Sequence, residues 1–520
     1  MLRLIFKLLA TRNICTIEMI FWNLKMRLTS RSLGLNKNIA VICFLPALIT
    51  SLSGCVNYLG VHSNKTIAPP AQFQTKNSIP KQNGHWPTTR WAEQFGDPQL
   101  TVLINEALAN NPDLQAAKSR IEQARALAES KSTAFLPKIN LASQVARGRL
   151  SANLFPPELG GGRRFNFGEF LGTINYELDI WGKNLAALKQ SLSQEKASEA
   201  EEQEARLTIS TSVASTYNQL AYYYGLRTVL KRTVAQRQSL DKISAVRLRT
   251  GLDTEVQLYQ SRNTTETART QLIDVEGQII LTRQQLGTLL GAGPDRGLAI
   301  KPPQFKSAYT PELPPNLPLD LLGRRPDIVA ARWTVEATTQ GIKNAKAQFY
   351  PNVNIFGFAG FLSLGISRLF DSASRQYQIG PAISLPIFDA CNLRAQLRGQ
   401  YGYYEEAVAK YNATLNNALL DVASQLTAIH SANEQLTTQK RALYSAERAY
   451  NLARIQYRTG LASQLVVLNS ETLFLNAEQS RLQLITNRRN LQIALIKALG
   501  GGFDASCPGQ KVQRIKNEWK

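Results

Sequence analysis

Apolar side chains recur at helical spacing over two long stretches. Val213, Tyr217, Leu220 and Tyr224 step by threes and fours, and Leu436, Leu443, Ala446, Tyr450, Ala453 and Tyr457 repeat the pattern with one step of seven. This spacing lays a narrow stripe along one side of a helix, the seam of a coiled coil rather than the broad face of a globular core. Many intervening positions are Ala, Ser, Gln or Thr, which let helices approach closely. No proline falls between Pro157 and Pro294 or between Pro386 and Pro508. Proline costs about 3 kcal/mol inside a helix, so its absence permits uninterrupted elements. The pattern predicts very long helices over about 184–248 and 392–457, with return helices over about 254–290 and 463–499. At about 1.5 Å per residue, a helix of about 65 residues reaches roughly 100 Å. A chain so drawn out cannot bury a globular core alone, so oligomerisation is expected.

A second pattern has period two. Phe170, Gly172, Ile174, Tyr176, Leu178 and Ile180 alternate with Glu169, Leu171, Thr173, Asn175, Glu177 and Asp179. Tyr377, Ile379, Pro381, Ile383, Leu385 and Ile387 alternate with Gln378, Gly380, Ala382 and Ser384. Alternation over about ten residues describes a strand with one apolar and one polar face, as in an outer-membrane barrel. Soluble sandwich strands also alternate; the N-terminal segment described below favours the barrel. Four strands per chain cannot close a barrel with a polar lumen, so several chains would share one.

The chain repeats itself. Pro112-Asp113-Leu114 returns as Pro326-Asp327-Ile328, and Phe135-Leu136-Pro137 as Phe349-Tyr350-Pro351, both 214 residues on. Arg249-Thr250-Gly251 returns as Arg458-Thr459-Gly460, and Leu290-Gly291 as Leu499-Gly500, both 209 residues on. Two constant offsets mark a tandem duplication, with a period far too long for a solenoid. Each copy reads as a first helix (about 97–134 and 318–349), two strands, a long helix, a tight reversal and a return helix. Arg249-Thr250-Gly251-Leu252 and Arg458-Thr459-Gly460-Leu461 form the reversals, since glycine takes positive φ without a Cβ clash. The fold class is therefore mainly α with a membrane β-barrel. Its segments are 1–54, a signal peptide; 55–90, an extended arm; 91–293, the first repeat, with strands over about 138–181; 294–318, a Pro-rich linker; 319–503, the second repeat, with strands over about 352–388; and 504–520, a tail.

Composition narrows the function. With 44% hydrophobic residues and a mean hydropathy of −0.21, this is no polytopic helical membrane protein. The net charge of +22 is spread along helices and interleaved with Glu, as from Glu195 to Arg206. It reads as a solvated helical surface rather than a nucleic-acid interface. Cys391 and Cys507 match no metal spacing, and a disulfide between them is the less favoured reading; His62, His85 and His430 stand apart. No catalytic constellation, metal site or cofactor motif is present. Arg27, Arg31 and Lys37 precede the apolar run Ile39 to Ile49, followed by Leu52-Ser53-Gly54-Cys55. This is a secretory signal whose end resembles a bacterial lipobox, which implies cleavage before Cys55 and lipidation of that residue. Val56 fits sorting to the outer membrane. A start at Met26 would give the signal an ordinary length.

These residues together resemble the outer-membrane efflux proteins, TolC-like, and within them the lipidated OprM/NodT-type branch. The resemblance is carried by the lipobox, Trp91 with Phe95-Gly96-Asp97-Pro98, Asn111-Pro112-Asp113, Phe135-Leu136-Pro137, Tyr176 to Lys183, Gly323 to Asp327, and Ala498-Leu499-Gly500-Gly501-Gly502. It covers about residues 88–503. It implies a homotrimer whose chains share a twelve-stranded barrel above a long helical periplasmic tunnel, anchored by lipid in the outer membrane. It further implies a passive exit duct, not an enzyme, fed by an inner-membrane pump of RND type through a periplasmic adaptor. By the same resemblance the two reversals, Arg249 to Leu252 and Arg458 to Leu461, would meet the adaptor. Members often carry an acid nine residues after the second-tip glycine, and some at plus six. Here those positions are Asn469 and Val466, so an acidic, cation-binding gate does not carry over. A neutral ring of Asn469 would close by packing and amide hydrogen bonds. Two alternatives remain: a duct for type I protein secretion, and a structural envelope coiled coil without a pore.

Overall fold

The computed structural model describes residues 58, 60–69, 78–79, 84–149, 151–153, 158, 162–306, 317–386 and 391–505. The expected signal peptide and Cys55 lie outside them. In the first copy, α1 (Pro98–Asn110) and α2 (Pro112–Ser132) lead to β1 (Lys138–Arg149) and β2 (Arg164–Leu178). Then come α3 (Lys183–Arg249), α4 (Glu255–Leu289) and the short α5 (Pro294–Leu298). The second copy runs α6 (Leu317–Arg324), α7 (Pro326–Ala347), β3 (Asn352–Ser363), β4 (Arg375–Ser384), α8 (Asn392–Arg458) and α9 (Gln464–Ala498). Both long helices have 67 residues and both return helices 35. The seams lie where the periodicity puts them: Val213, Tyr217, Leu220, Leu436, Tyr450, Ala453 and Tyr457 are all buried.

Where one opening helix is expected in each copy, the structure has two. Asn111, pushed into extended geometry ahead of Pro112, breaks the first. Its side chain caps α2, accepting from the amides of Asp113 (2.9 Å) and Leu114 (3.4 Å), and its Nδ2 donates to the Leu289 carbonyl. Arg325 ahead of Pro326 is the matching break. A glycine from the return helix lies against each break. A Cβ on Gly291 would come within 2.3 Å of the Asn110 carbonyl, and one on Gly500 within 1.9 Å of that of Arg324. The duplicated Leu-Gly is thus a duplicated close approach.

The described residues group into two compact units. One holds the sheet with Gln123–Glu195 and Thr334–Ala409, and extends to the segment ending at Thr66. Its four strands pair antiparallel in the order β1-β2-β3-β4. The register puts Ile139, Ile174, Gly357 and Ile379 in one row and Leu141, Gly172, Ala359 and Tyr377 in the next. On that face Ile139, Leu141, Val145, Tyr377, Ile379 and Ile383 are all more than 60% exposed. The opposite face carries Asn140, Gln144, Glu169, Thr173, Asn175, Asn354, Gln376 and Gln378, with Phe165, Phe167, Leu171, Phe356, Phe358 and Leu362 as apolar exceptions. Aromatic rings mark both ends of the strands. Trp181 stacks on Tyr350 at 4.7 Å, and Phe370 meets Phe170 and Phe361 edge-on. Tyr58 packs edge-on against Phe349 at 5.6 Å. Cys391 is disulfide-bonded, and every other cysteine lies outside the described residues.

The second unit comprises Ile67–Glu122, Lys196–Trp333 and the chain from Lys410 onward. Its main core gathers Trp91, Phe95, Leu100, Leu103, Val213, Tyr217, Leu220, Leu286 and Ile496. A separate cluster of Val229, Leu240, Tyr450, Val467 and Phe474 runs toward the hairpin ends.

Candidate functional site at the hairpin ends

Both long helices end in the same cap. The Gly251 amide donates to the Leu248 carbonyl (3.0 Å) and the Leu252 amide to that of Arg247 (2.8 Å); Gly460 and Leu461 repeat this with Tyr457 (3.2 Å) and Gln456 (2.8 Å). The glycines sit at φ of 75° and 81°, the left-handed geometry that closes this motif. Thr250 Oγ1 donates back to the carbonyls of Val246 and Arg247, and Thr459 Oγ1 to those of Ile455 and Gln456. The repeated Arg-Thr-Gly-Leu therefore splits in two. Thr and Gly finish the helix, while Arg249, Arg458, Leu252 (66% exposed) and Leu461 (82% exposed) face outward. Neither arginine has an ion pair among the described residues.

Behind the tips, side chains from the two hairpins meet. Asp253, just past the first cap, accepts from Arg247 Nε at 2.9 Å and from the Tyr457 hydroxyl at 3.1 Å. The Arg247 guanidinium lies 5.0 Å from the Tyr457 ring centre, a cation–π distance. The hydrogen bond that Arg247 donates to Asp253 raises the Arg247 pKa further, and burial raises that of Tyr457, so the guanidinium stays charged and the phenol neutral. Next to it Gln464 Nε2 donates to Ser244 Oγ at 3.1 Å. Arg458, Arg454, Tyr450 and Gln236 line a cavity of about 250 Å³ beside this cluster.

The sequence profile described as outer membrane efflux protein matches residues 103–292 and 317–501. The chain belongs to that family. It is 29% identical over 473 residues to the multidrug resistance outer membrane protein MdtP of Escherichia coli K12, covering 89% of this chain and 97% of that one. It is 36% identical over 318 residues to the fusaric acid resistance protein FusA of Burkholderia cepacia, covering 60% and 59%. The crystal structure of the outer membrane protein VceC of Vibrio cholerae superposes with a TM-score of 0.75 at 34% identity, over 81% of this chain and all of that one. The protein is an outer-membrane efflux duct.

For a member of this family, the positions after the second tip are informative. Val466 (43% exposed) and Asn469 both lie on the open side of α9. The acid sits two residues further on and points the other way. Glu471 is fully buried, and its Oε2 accepts from Arg237 Nε of α3 at 3.2 Å. Of the acids near the tips, Asp253 and Glu471 are thus both paired inward. Sequence reasoning missed their partners, Tyr457, Arg247 and Arg237. The available signal was the row of polar residues Gln464, Glu471 and Glu478, seven apart in an otherwise apolar seam. Among the described residues no His, Cys, Asp and Glu group has the makings of a metal site.

Proposed function

We propose that three copies of this chain join their sheets into one twelve-stranded barrel and form the exit duct for an inner-membrane pump of the RND type. The sheet carries this reading. One face is apolar and exposed, the other is mostly polar, and both edge strands, β1 and β4, keep an unpaired side among the described residues. An exposed edge of this length is an invitation to pair with another chain, and barrel closure with like copies meets it. The cargo is small toxic organic compounds, as the names of the multidrug and fusaric acid resistance relatives imply. Arg249 to Leu252 and Arg458 to Leu461 dock a periplasmic adaptor through the outward Arg and Leu side chains. Val466 and Asn469 line a neutral periplasmic constriction. Cys55 carries the lipid; Tyr58, three residues on, rests on Phe349, next to the Tyr350–Trp181 stack. The Tyr58 contact supports an anchor at the interfacial aromatic girdle.

The test is purification from outer membranes, sizing of the assembly in detergent, and recording in planar bilayers. A detergent-dependent trimer with ohmic conductance is expected. A protein released without detergent and electrically silent would leave the pore-free coiled coil as the better reading. Crosslinkers placed at Leu252 and Leu461 should capture the adaptor, and through it the pump. Capture of a protein-secretion adaptor would favour the type I secretion alternative.

A further inference from the structure

Helices α3 and α9 are held together by a ladder of polar contacts. From the tip inward, Gln464 meets Ser244, Glu471 meets Arg237, Glu478 meets Arg232, and Asn218 Nδ2 donates to Asn490 Oδ1 and the Thr486 carbonyl. Residue numbers rise on α9 as they fall on α3, so the rungs share one antiparallel register. Buried polar residues in an apolar seam fix register at a cost in stability.

One rung differs from the others. Glu471 is 0% exposed and Arg237 13%. Arg237 Nη1 also donates to the Thr264 carbonyl of α4 at 2.6 Å, so this guanidinium joins three helices. The second Glu471 oxygen, Oε1, is buried without a hydrogen-bond partner. The carboxylate therefore has one partner where its charge calls for more, and bare lone pairs in a dry seam penalise the ionised form.

We propose that Glu471 is the proton-sensitive lock of the duct: protonated, it lets α9 close tightly on α3; ionised, it loosens that seam. This rests on the reading of α9 as the helix bearing the constriction. Glu471 and its partner Arg237 belong to one chain, so the lock acts within each chain.

The surrounding charges set the direction. Arg237 faces Glu471 from α3, Arg454 and Tyr450 face it from α8, and α4 presents the Thr264 carbonyl held by Arg237. Tyr450 is pushed up to about 12, by burial first and by Glu471 second, so it stays neutral at working pH. Burial raises the Glu471 pKa above its ordinary 4.5, against the opposing pull of Arg237 and then Arg454. Such a carboxyl holds more proton in the packed seam than in a separated one. The packed seam therefore gains stability as pH falls through the raised pKa toward 4.5, and is weakest above that window.

The experiment is bilayer recording of wild type, Glu471→Gln and Arg454→Gln between about pH 5 and pH 8, with amide hydrogen exchange over 464–478 in detergent trimers. Wild type should open about threefold to tenfold more often at the alkaline end. Glu471→Gln should stay at the low, acidic level throughout, and Arg454→Gln, which removes an exposed cation, should move the transition to higher pH. A pH profile unchanged in both variants, or a flat wild type, overturns the lock while leaving the duct intact. If no form conducts but exchange follows this pH pattern, the lock stands and the duct reading fails.

Discussion

Replacing Tyr457 by Phe removes a single hydroxyl between the two hairpins. That hydroxyl donates to Asp253 Oδ2 at 3.1 Å. Asp253 keeps its ion pair with Arg247 at 2.9 Å, so no buried charge is orphaned. The ring remains under the Arg247 guanidinium and within its apolar cluster. What is lost is a hydrogen bond to a charged acceptor, a net contribution of about 1.5–3 kcal/mol, together with the weaker neutral contact between this hydroxyl and the buried Ser244. The surviving ion pair puts the loss at the lower end, about 1.5 kcal/mol, or roughly tenfold in the ratio of closed to open duct. Single-channel recording at neutral pH measures that ratio directly. Thermal unfolding of the same preparation should be nearly unchanged, because the distal cores do not touch this residue. An open probability within about twofold of wild type would show that the tie does not hold the tip closed. A double-mutant cycle with Asp253→Ala should give a coupling somewhat below the single-variant loss, since both changes break the Tyr457–Asp253 contact but only Tyr457→Phe gives up the one to Ser244.

Other substitutions probe other parts of the same account. Asn469→Asp puts a carboxyl on the open side of α9 and should add pH and cation dependence to conductance; identical profiles across pH would remove Asn469 from the constriction. Ile379→Lys places a charge on the apolar sheet face and should cost about 2–4 kcal/mol of barrel stability, whereas Gln378→Lys, on the opposite face, should assemble normally; equal trimer yields of the two would invert the facing of the sheet. Gly500→Ala drives a Cβ to 1.9 Å from the Arg324 carbonyl at a φ of 83°. The strained backbone alone costs about 1–2 kcal/mol, and the clash adds to it, so the urea midpoint should fall clearly; an unshifted midpoint would mean that the break at Arg325 yields easily.

Much of the architecture is legible in local pattern. The starts and ends of the long and return helices fall within about a residue or two of the periodic stretches, because glycine caps and a lack of proline are local causes. The opening helices read as single elements in the sequence, but Pro112 and Pro326 each divide one in two. Periodicity continues through a capped break, and only the extended geometry of Asn111 reveals it. At the tips, the repeated Arg-Thr-Gly-Leu correctly marks the turns, but the residues that join the hairpins lie just outside it, at Arg247, Asp253 and Tyr457.

By itself, then, the sequence determined the elements, their duplication and the two faces of each strand, since these depend on neighbours within a few residues. The tertiary structure decided which polar residue meets which. Asn469 and Glu471 are two positions apart, about 200° around a helix, so one faces out when the other faces in. Which is which depends on the register of α9 against α3, and that is set by partners such as Arg237 and Ser244, more than 200 residues away in the chain. The pairing of β2 with β3 across the two copies has the same origin. No local propensity encodes it; it follows from how the two repeats pack.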